Sequence, residues 1–359
     1  MSKSKFSLAG ATLLFAISLA ANAGDIGGDA KLSSFFQSYL DARFKMQPTD
    51  ATRLGDHRFD NQLDDLSPAA RKGWVTFARH TLKALPKEVD YKSLSRDGQI
   101  DFEIFQHDLT AQLWLAENTK PFEEDPRTFG NYISDSVYVL LTQSTRPKET
   151  NVANVIARLG QMPRIIATAQ ATLKHPFKPI LETAIRQNRG AVAFYETEIF
   201  QLVGETSQLE SLKAAAAPIV PLLKDYQKFL EGELMSQATD NWRLGKKRFS
   251  RKLDYELFSG QTADQVLADA ETEFTRVQNE LYIISRQLWS HYYPKAVLPP
   301  SDAAGRRETI AKLIAAVSQE HGKPEDLVTD ARATVEKIKG FIRATDFLRL
   351  PEPDRLRRR

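Results

Sequence analysis

Histidine is the residue type here best suited to holding a hydrolytic metal, and none of the six is followed by glutamate. His57 precedes Arg58, His80 precedes Thr81 and His107 precedes Asp108. His175 precedes Pro176, His291 precedes Tyr292 and His321 precedes Gly322. A helical zinc-hydrolase site needs a His-Glu pair with a second His one or two turns on: the imidazoles bind the ion and the Glu polarises its water. The reading is therefore catalytic residues none, metal ligands none. Glu103 and His107, four apart on an expected helix beside Asp108, read as a surface ion pair. Glu320-His321 and Glu325-Asp326, around Gly322-Lys323-Pro324, read as charges suited to the end of one helix and the start of the next. There is no Gly-x-Ser-x-Gly elbow, and with no cysteine there is no thiol nucleophile, thiolate metal site or disulfide.

Six of the ten residues from Arg243 to Lys252 are basic. Neither a Gly-rich phosphate loop nor stacking aromatics accompany them, so nucleic acid is not expected as a partner. The ordinary reading is an exposed charged helix. Trp289, His291, Tyr292 and Tyr293 cluster at a helix end, where aromatics close a core at its wet edge.

The elements that must position these residues are helices. Val266, Ala270, Phe274, Val277, Leu281, Ile284 and Leu288 repeat at three and four residues. Thr262 and Gln265 form a capping box before them, and Tyr292-Tyr293-Pro294 ends the run. Ser67-Pro68 opens Trp74 to Leu85, and Ser95 or Asp97 opens Ile100 to Ala116. Asn151 opens Val152 to Leu173, which Pro163 should kink. Ile180 to Val203 follows Pro176 and Pro179. Leu209 to Met235 is interrupted at Pro218 and Pro221. A last helix runs from Lys323-Pro324 to about Phe347. Tyr132 to Leu141 is the most strand-like stretch, but its place between helices favours helix. Thr119 to Arg127 and Tyr293 to Gly305 read as loops. The expected fold is all-α, one continuous domain over residues 24–359, built of long, partly kinked, packed helices.

The start of the chain reads as a secretory signal peptide over residues 1–23. Lys3 and Lys5 precede an apolar run, Phe6 to Leu19, and Ala21-Asn22-Ala23 is a small-x-small cleavage site. Cleavage after Ala23 lowers the formal charge from +3 to +1, which gives no global attraction to nucleic acid or an anionic membrane. The mature chain is expected in the periplasm or secreted, with no membrane association after leader cleavage. No cysteine is present to carry a lipid.

Four stretches carry a family resemblance: YLDARFKMQPTDATRLGDHRF from Tyr39, TRPKETNVANVIARLGQMPRII with LETAIRQNRGAVAFYE, WRLGKKRFSRKLDYELFSGQTADQVLADAETEFTRVQNELYII from Trp242, and FLRLPEPDRL from Phe347. In that order they resemble the bacterial family called domain of unknown function 885, a secreted family related to gluzincin-like zinc metallopeptidases. The resemblance implies the front half of a helical metallopeptidase-like fold. The family's His-Glu-x-x-Pro-Gly-His motif would follow the fourth stretch, and here the match gives way to Arg357-Arg358-Arg359. What it implies is a portion truncated before the zinc motif, inactive alone, with no cofactor in this chain and zinc only in full-length relatives. It would form one wall of a peptide-binding cleft. Arg248 and Tyr255, two helical turns apart, are the candidate cleft residues. The partners expected are peptides and a missing C-terminal half. The alternatives are a periplasmic peptide-binding or interaction module without catalysis, or one half of a split peptidase.

Overall fold

The computed structural model describes residues 26–350. The expected leader, its cleavage site and the end of the fourth family stretch lie outside the described residues. Among the described residues the chain is helical throughout, with one isolated bridge between Phe177 and Thr239 and no strand. The all-α expectation holds.

The chain divides into two compact units, Met1–Gln261 and Thr262–Arg359. The boundary has a local cause. Phe258 and Gly260 both have positive φ, which stops the preceding helix. Thr262 then starts another, with both halves of its capping box formed.

The first unit begins with α1 (Ile26–Met46), α2 (Pro48–Arg53), α3 (Pro68–Glu88) and α4 (Arg96–Asn118). Ser67 and Ser95 cap α3 and α4 by accepting from Ala70 N–H and Gly98 N–H. Helices α1, α3 and α4 meet through an aromatic cluster. The Tyr39 ring stacks on Phe77 at 5.5 Å and meets Phe105 edge-on at 4.8 Å.

The main core follows in α5 (Arg127–Thr142), α6 (Lys148–Leu159), α7 (Met162–Thr172), α8 (Lys178–Ala193), α9 (Ile199–Val203), α10 (Leu209–Ala216) and α11 (Ile219–Phe229). Val137, Val155, Leu159, Ile165, Leu181, Ile199, Leu212 and Leu223 are all 0% exposed. The strand-like stretch lies in α5, as its neighbours suggested. Pro163 does not kink a continuous helix. Leu159 ends α6, Gly160 and Gln161 turn the chain, and Pro163 sits in the first turn of α7. A first-turn nitrogen needs no hydrogen, so proline fits there without loss. Pro218 likewise separates α10 from α11. The run expected from Ile180 to Val203 passes through a π-helical segment at Phe194–Glu198, and α11 leads into another at Leu230–Leu234. A last helix, α12 (Lys246–Leu257), completes this unit.

The second unit contains α13 (Ala263–Tyr292), α14 (Ala303–Val317) and α15 (Leu327–Thr345). Tyr282, Ser285 and Trp289 of α13 are buried, as are Gly305, Thr309 and Leu313 of α14. Gly305 permits the close entry into α14, because a Cβ there would lie 2.1 Å from the Pro300 carbonyl oxygen. Trp289 donates through Nε1 to Ala296 O at 3.1 Å, so the aromatic helix end closes a small core as its sequence suggests.

Candidate functional site

The first unit carries an apolar groove of about 340 Å³ between α5 and α8. Ile133 and Tyr138 come from α5, Ala184 and Ala191 from α8. Phe194 and Leu230, the first residues of the two π-helical segments, line the same groove. Such segments insert a residue into the helical ladder and recur at functional sites. Gly130 and Gly190 open onto it with nothing near their missing Cβ positions.

Tyr226 also lines this groove. It is 2% exposed, and its hydroxyl has no hydrogen-bond partner among the described residues. Burial pushes its pKa up, so the phenol stays protonated. A buried hydroxyl without a partner forgoes about 1–3 kcal/mol. Its neighbour Asn188 is committed, donating through Nδ2 to Leu223 O at 3.0 Å and Gln227 Oε1 at 2.7 Å. Arg127, at the rim, is likewise held by Asp125 at 2.7 Å. The groove therefore combines apolar walls with polar side chains, Asn131, Ser134 and Gln187 among them, and Tyr226 is its buried hydroxyl without a partner, an arrangement suited to an apolar group with an adjacent polar one.

The candidate cleft residues lie elsewhere, on α12. Arg248 is exposed and Tyr255 half-buried. The two are not brought together: Arg251 stacks over the Tyr255 ring at 4.4 Å and donates to its hydroxyl at 2.9 Å. His107 of α4 reaches back to Tyr255 O at 2.9 Å and lies against the Phe258 ring at 3.9 Å. His107 thus fixes α12 on α4, and no contact pairs it with Glu103. His57 lies 2.8 Å from Asp60, and His321 contacts Gly322 O at 2.8 Å. Among the described residues no group of three or more His, Asp or Glu is placed to hold a metal.

A buried polar network joins the first two family-like stretches. Arg158 of α6 is fully buried. It donates to Ser136 O and, at 2.5 Å, to Thr52 Oγ1. Thr52 in turn donates to Asp60 at 2.7 Å. Asp64 accepts from Thr49 N and Oγ1 at 2.9 Å and from Tyr132 at 3.0 Å. Burial pushes the Asp64 carboxyl up despite these donors. It pushes Arg158 down to about 10, against the pull of Asp60 and Asp64. This network staples α2 and the following turn to α5 and α6.

Sequence reasoning overlooked both Arg158 and Tyr226. The signal was there: Arg158 follows Val155 by three and precedes Leu159 by one, and Tyr226 follows Leu223 by three and precedes Leu230 by four. Polar residues inside apolar stripes need a partner.

The chain resembles known proteins in two ways. It matches a solved structure described as "a putative lipoprotein of unknown function from Shewanella oneidensis", with a TM-score of 0.68 and 22% identity over 89% of this chain. That likeness concerns the fold, and this chain spans 59% of that one. No curated protein matches. The model of a bacterial family of proteins of unknown function, DUF885, matches residues 48–358. That span takes in the stapled turn, the Tyr226 groove and all three helices of the second unit, and the chain belongs to the DUF885 family.

Proposed function

We propose that this chain is the non-catalytic helical part of a secreted, zinc-metallopeptidase-like protein and forms one wall of a peptide-binding cleft. The observation that carries the reading is the groove with the unpartnered Tyr226 hydroxyl. It suits a peptide's apolar side chain against Ile133, Ala191 and Phe194, with a peptide carbonyl accepting from Tyr226. Arg248 and Tyr255 on α12 are proposed as further cleft contacts, reaching polar parts of a longer peptide. The reading assigns catalysis and zinc to another polypeptide segment.

The second unit carries apolar faces of its own that suit a further polypeptide segment. Phe274, Val277, Leu281, Ile284 and Leu288 repeat along α13 at helical spacing and are all exposed, Phe274 by 64%. Val335, Ile338 and Phe341 do the same on α15, Phe341 by 60%. Contiguous apolar faces of this kind mark interaction surfaces. Export is part of the proposal through the leader at residues 1–23. Among the described residues, no helix is long and apolar enough to cross a membrane.

The test is titration with a library of short apolar peptides, followed by calorimetry on the best binder. Saturable binding that weakens about tenfold in Tyr226→Phe, with unchanged helicity, is the expected result. Equal binding by that variant would overturn the groove assignment. Stoichiometric zinc in the purified protein, with chelator-sensitive peptide cleavage, would overturn the non-catalytic assignment.

A stand-alone binding module is the second reading, favoured by the completeness of the groove within the first unit. Binding of an apolar-surface dye separates the two. Strong dye fluorescence that falls in Phe274→Gln/Leu281→Gln/Phe341→Gln supports uncovered faces awaiting a partner segment. A chain that binds peptide but no dye supports the module.

A further inference from the structure

A second cavity, of about 540 Å³, lies between α3, α4 and the helical turn Pro121–Glu124. Its size is that of a small-molecule site. Trp74 and Phe122 supply an aromatic wall, their rings 6.1 Å apart and edge-on. Five charged residues line it: Arg71, Lys72, Lys120, Glu117 and Glu123.

The charges are unequally committed. Glu117 is held by Arg79 at 3.0 Å and Glu123 by Lys174 at 3.2 Å, both cations from outside the cavity. Neither Lys72 nor Lys120 has a side-chain partner among the described residues. Arg71 lies over the Phe122 ring at 4.6 Å. Its Nε is buried and has no hydrogen-bond partner. With Glu117 and Glu123 each paired to a cation from outside the cavity, its lining carries a surplus of positive charge beside an apolar wall. Burial pushes the Arg71 pKa down, with the Glu123 charge opposing. An added anion would relieve that cost.

We propose that this cavity binds a small ligand carrying a carboxylate on an aromatic or branched apolar body. Arg71 takes the carboxylate and Trp74 and Phe122 take the body. A guanidinium seated on a ring keeps its edge donors free, and those match the two oxygens of a carboxylate. Lys72 and Lys120 are exposed, so they contribute attraction from the rim rather than geometry. The proposal does not depend on the Tyr226 groove and survives or fails independently of it.

Calorimetry with N-acetylphenylalanine and its neutral amide tests the charge requirement on the unaltered chain. The acid is expected to bind at least tenfold more tightly than the amide. Arg71→Gln is expected to remove that preference, and Lys72→Gln/Lys120→Gln to weaken acid binding two- to fivefold while leaving the melting temperature unchanged. Equal binding of acid and amide, no acid binding at millimolar concentration, or full binding by Arg71→Gln would overturn the proposal. Should Arg71→Gln fail to fold, the acid-amide contrast and the lysine variant still decide. A hexapeptide ending in free phenylalanine, beside its amidated form, separates the sources: binding of the free peptide identifies a chain terminus as ligand, and binding of the small acid alone identifies a metabolite.

Discussion

The main core of the first unit and α13 of the second are written in the same alphabet, yet they bury it differently. Val152, Val155 and Leu159 repeat along α6 and are 0% exposed. Phe274, Val277 and Leu281 repeat along α13 at the same spacing and remain exposed. Apolar periodicity therefore specifies a helix in both places and a core in only one. What differs is the opposite surface. α6 is packed against both α5 and α10, whereas α13 packs on α14 and buries only Tyr282, Ser285 and Trp289. A hydrophobic face contributes stability only in proportion to the area removed from water.

Perturbing the two regions tests that contrast. The largest effect is expected at Arg158. Arg158→Met removes the donors to Ser136 and Thr52 and the buried positive charge that acts on Asp60 and Asp64, which should cost about 3–5 kcal/mol in urea unfolding. A loss below about 1 kcal/mol would place the network among surface-like pairs. Next comes a matched pair of leucines. Leu159→Ala should cost about 2–5 kcal/mol through cavity and transfer terms, while Leu281→Ala, on the exposed stripe, should stay within about 0.5 kcal/mol. Comparable losses at both would mean that α13 is covered in solution. Thr262→Ala breaks the capping box and should cost about 1 kcal/mol, seen as faster amide exchange in the first turns of α13 and not in α6.

The smallest effect is one of pH. Burial raises the folded-state pKa of Asp64 above its unfolded value. Between those values the folded protein binds more protons than the unfolded chain, so this group makes stability fall as pH rises. The penalty is absent below the ordinary carboxylate range and complete above the raised value. Asp64→Asn should flatten the stability profile across that window, whatever its offset. An unchanged slope would show that the Thr49 and Tyr132 donors fully compensate the burial.

Much of the fold was legible because helix signals are local. Ser67, Ser95 and Thr262 each cap the helix their sequence announced. Pro163 was legible as an interruption but not as a boundary, since a kink and a restart differ in whether Gly160 and Gln161 continue the ladder. The left-handed Phe258 that ends α12 has no compositional mark. The candidate site was less legible. Arg248 and Tyr255 share a helix, as their spacing requires, yet Tyr255 is occupied by Arg251 and His107. Tyr226 carries the unpartnered hydroxyl: its place in an apolar stripe marks it as buried, but whether the hydroxyl finds a partner is decided by residues distant in sequence.

The sequence by itself determined the class of element, its caps and its apolar stripe, because these depend on neighbours within one or two turns. It also determined the absence of thiol chemistry and of any His-Glu pair along its length. Only the tertiary structure decided which stripes are covered, which buried polar atoms find partners and which cations are left uncompensated. Those outcomes depend on surfaces brought together from distant parts of the chain. Thr52 and Arg158, 106 residues apart, share a hydrogen bond that no local pattern encodes.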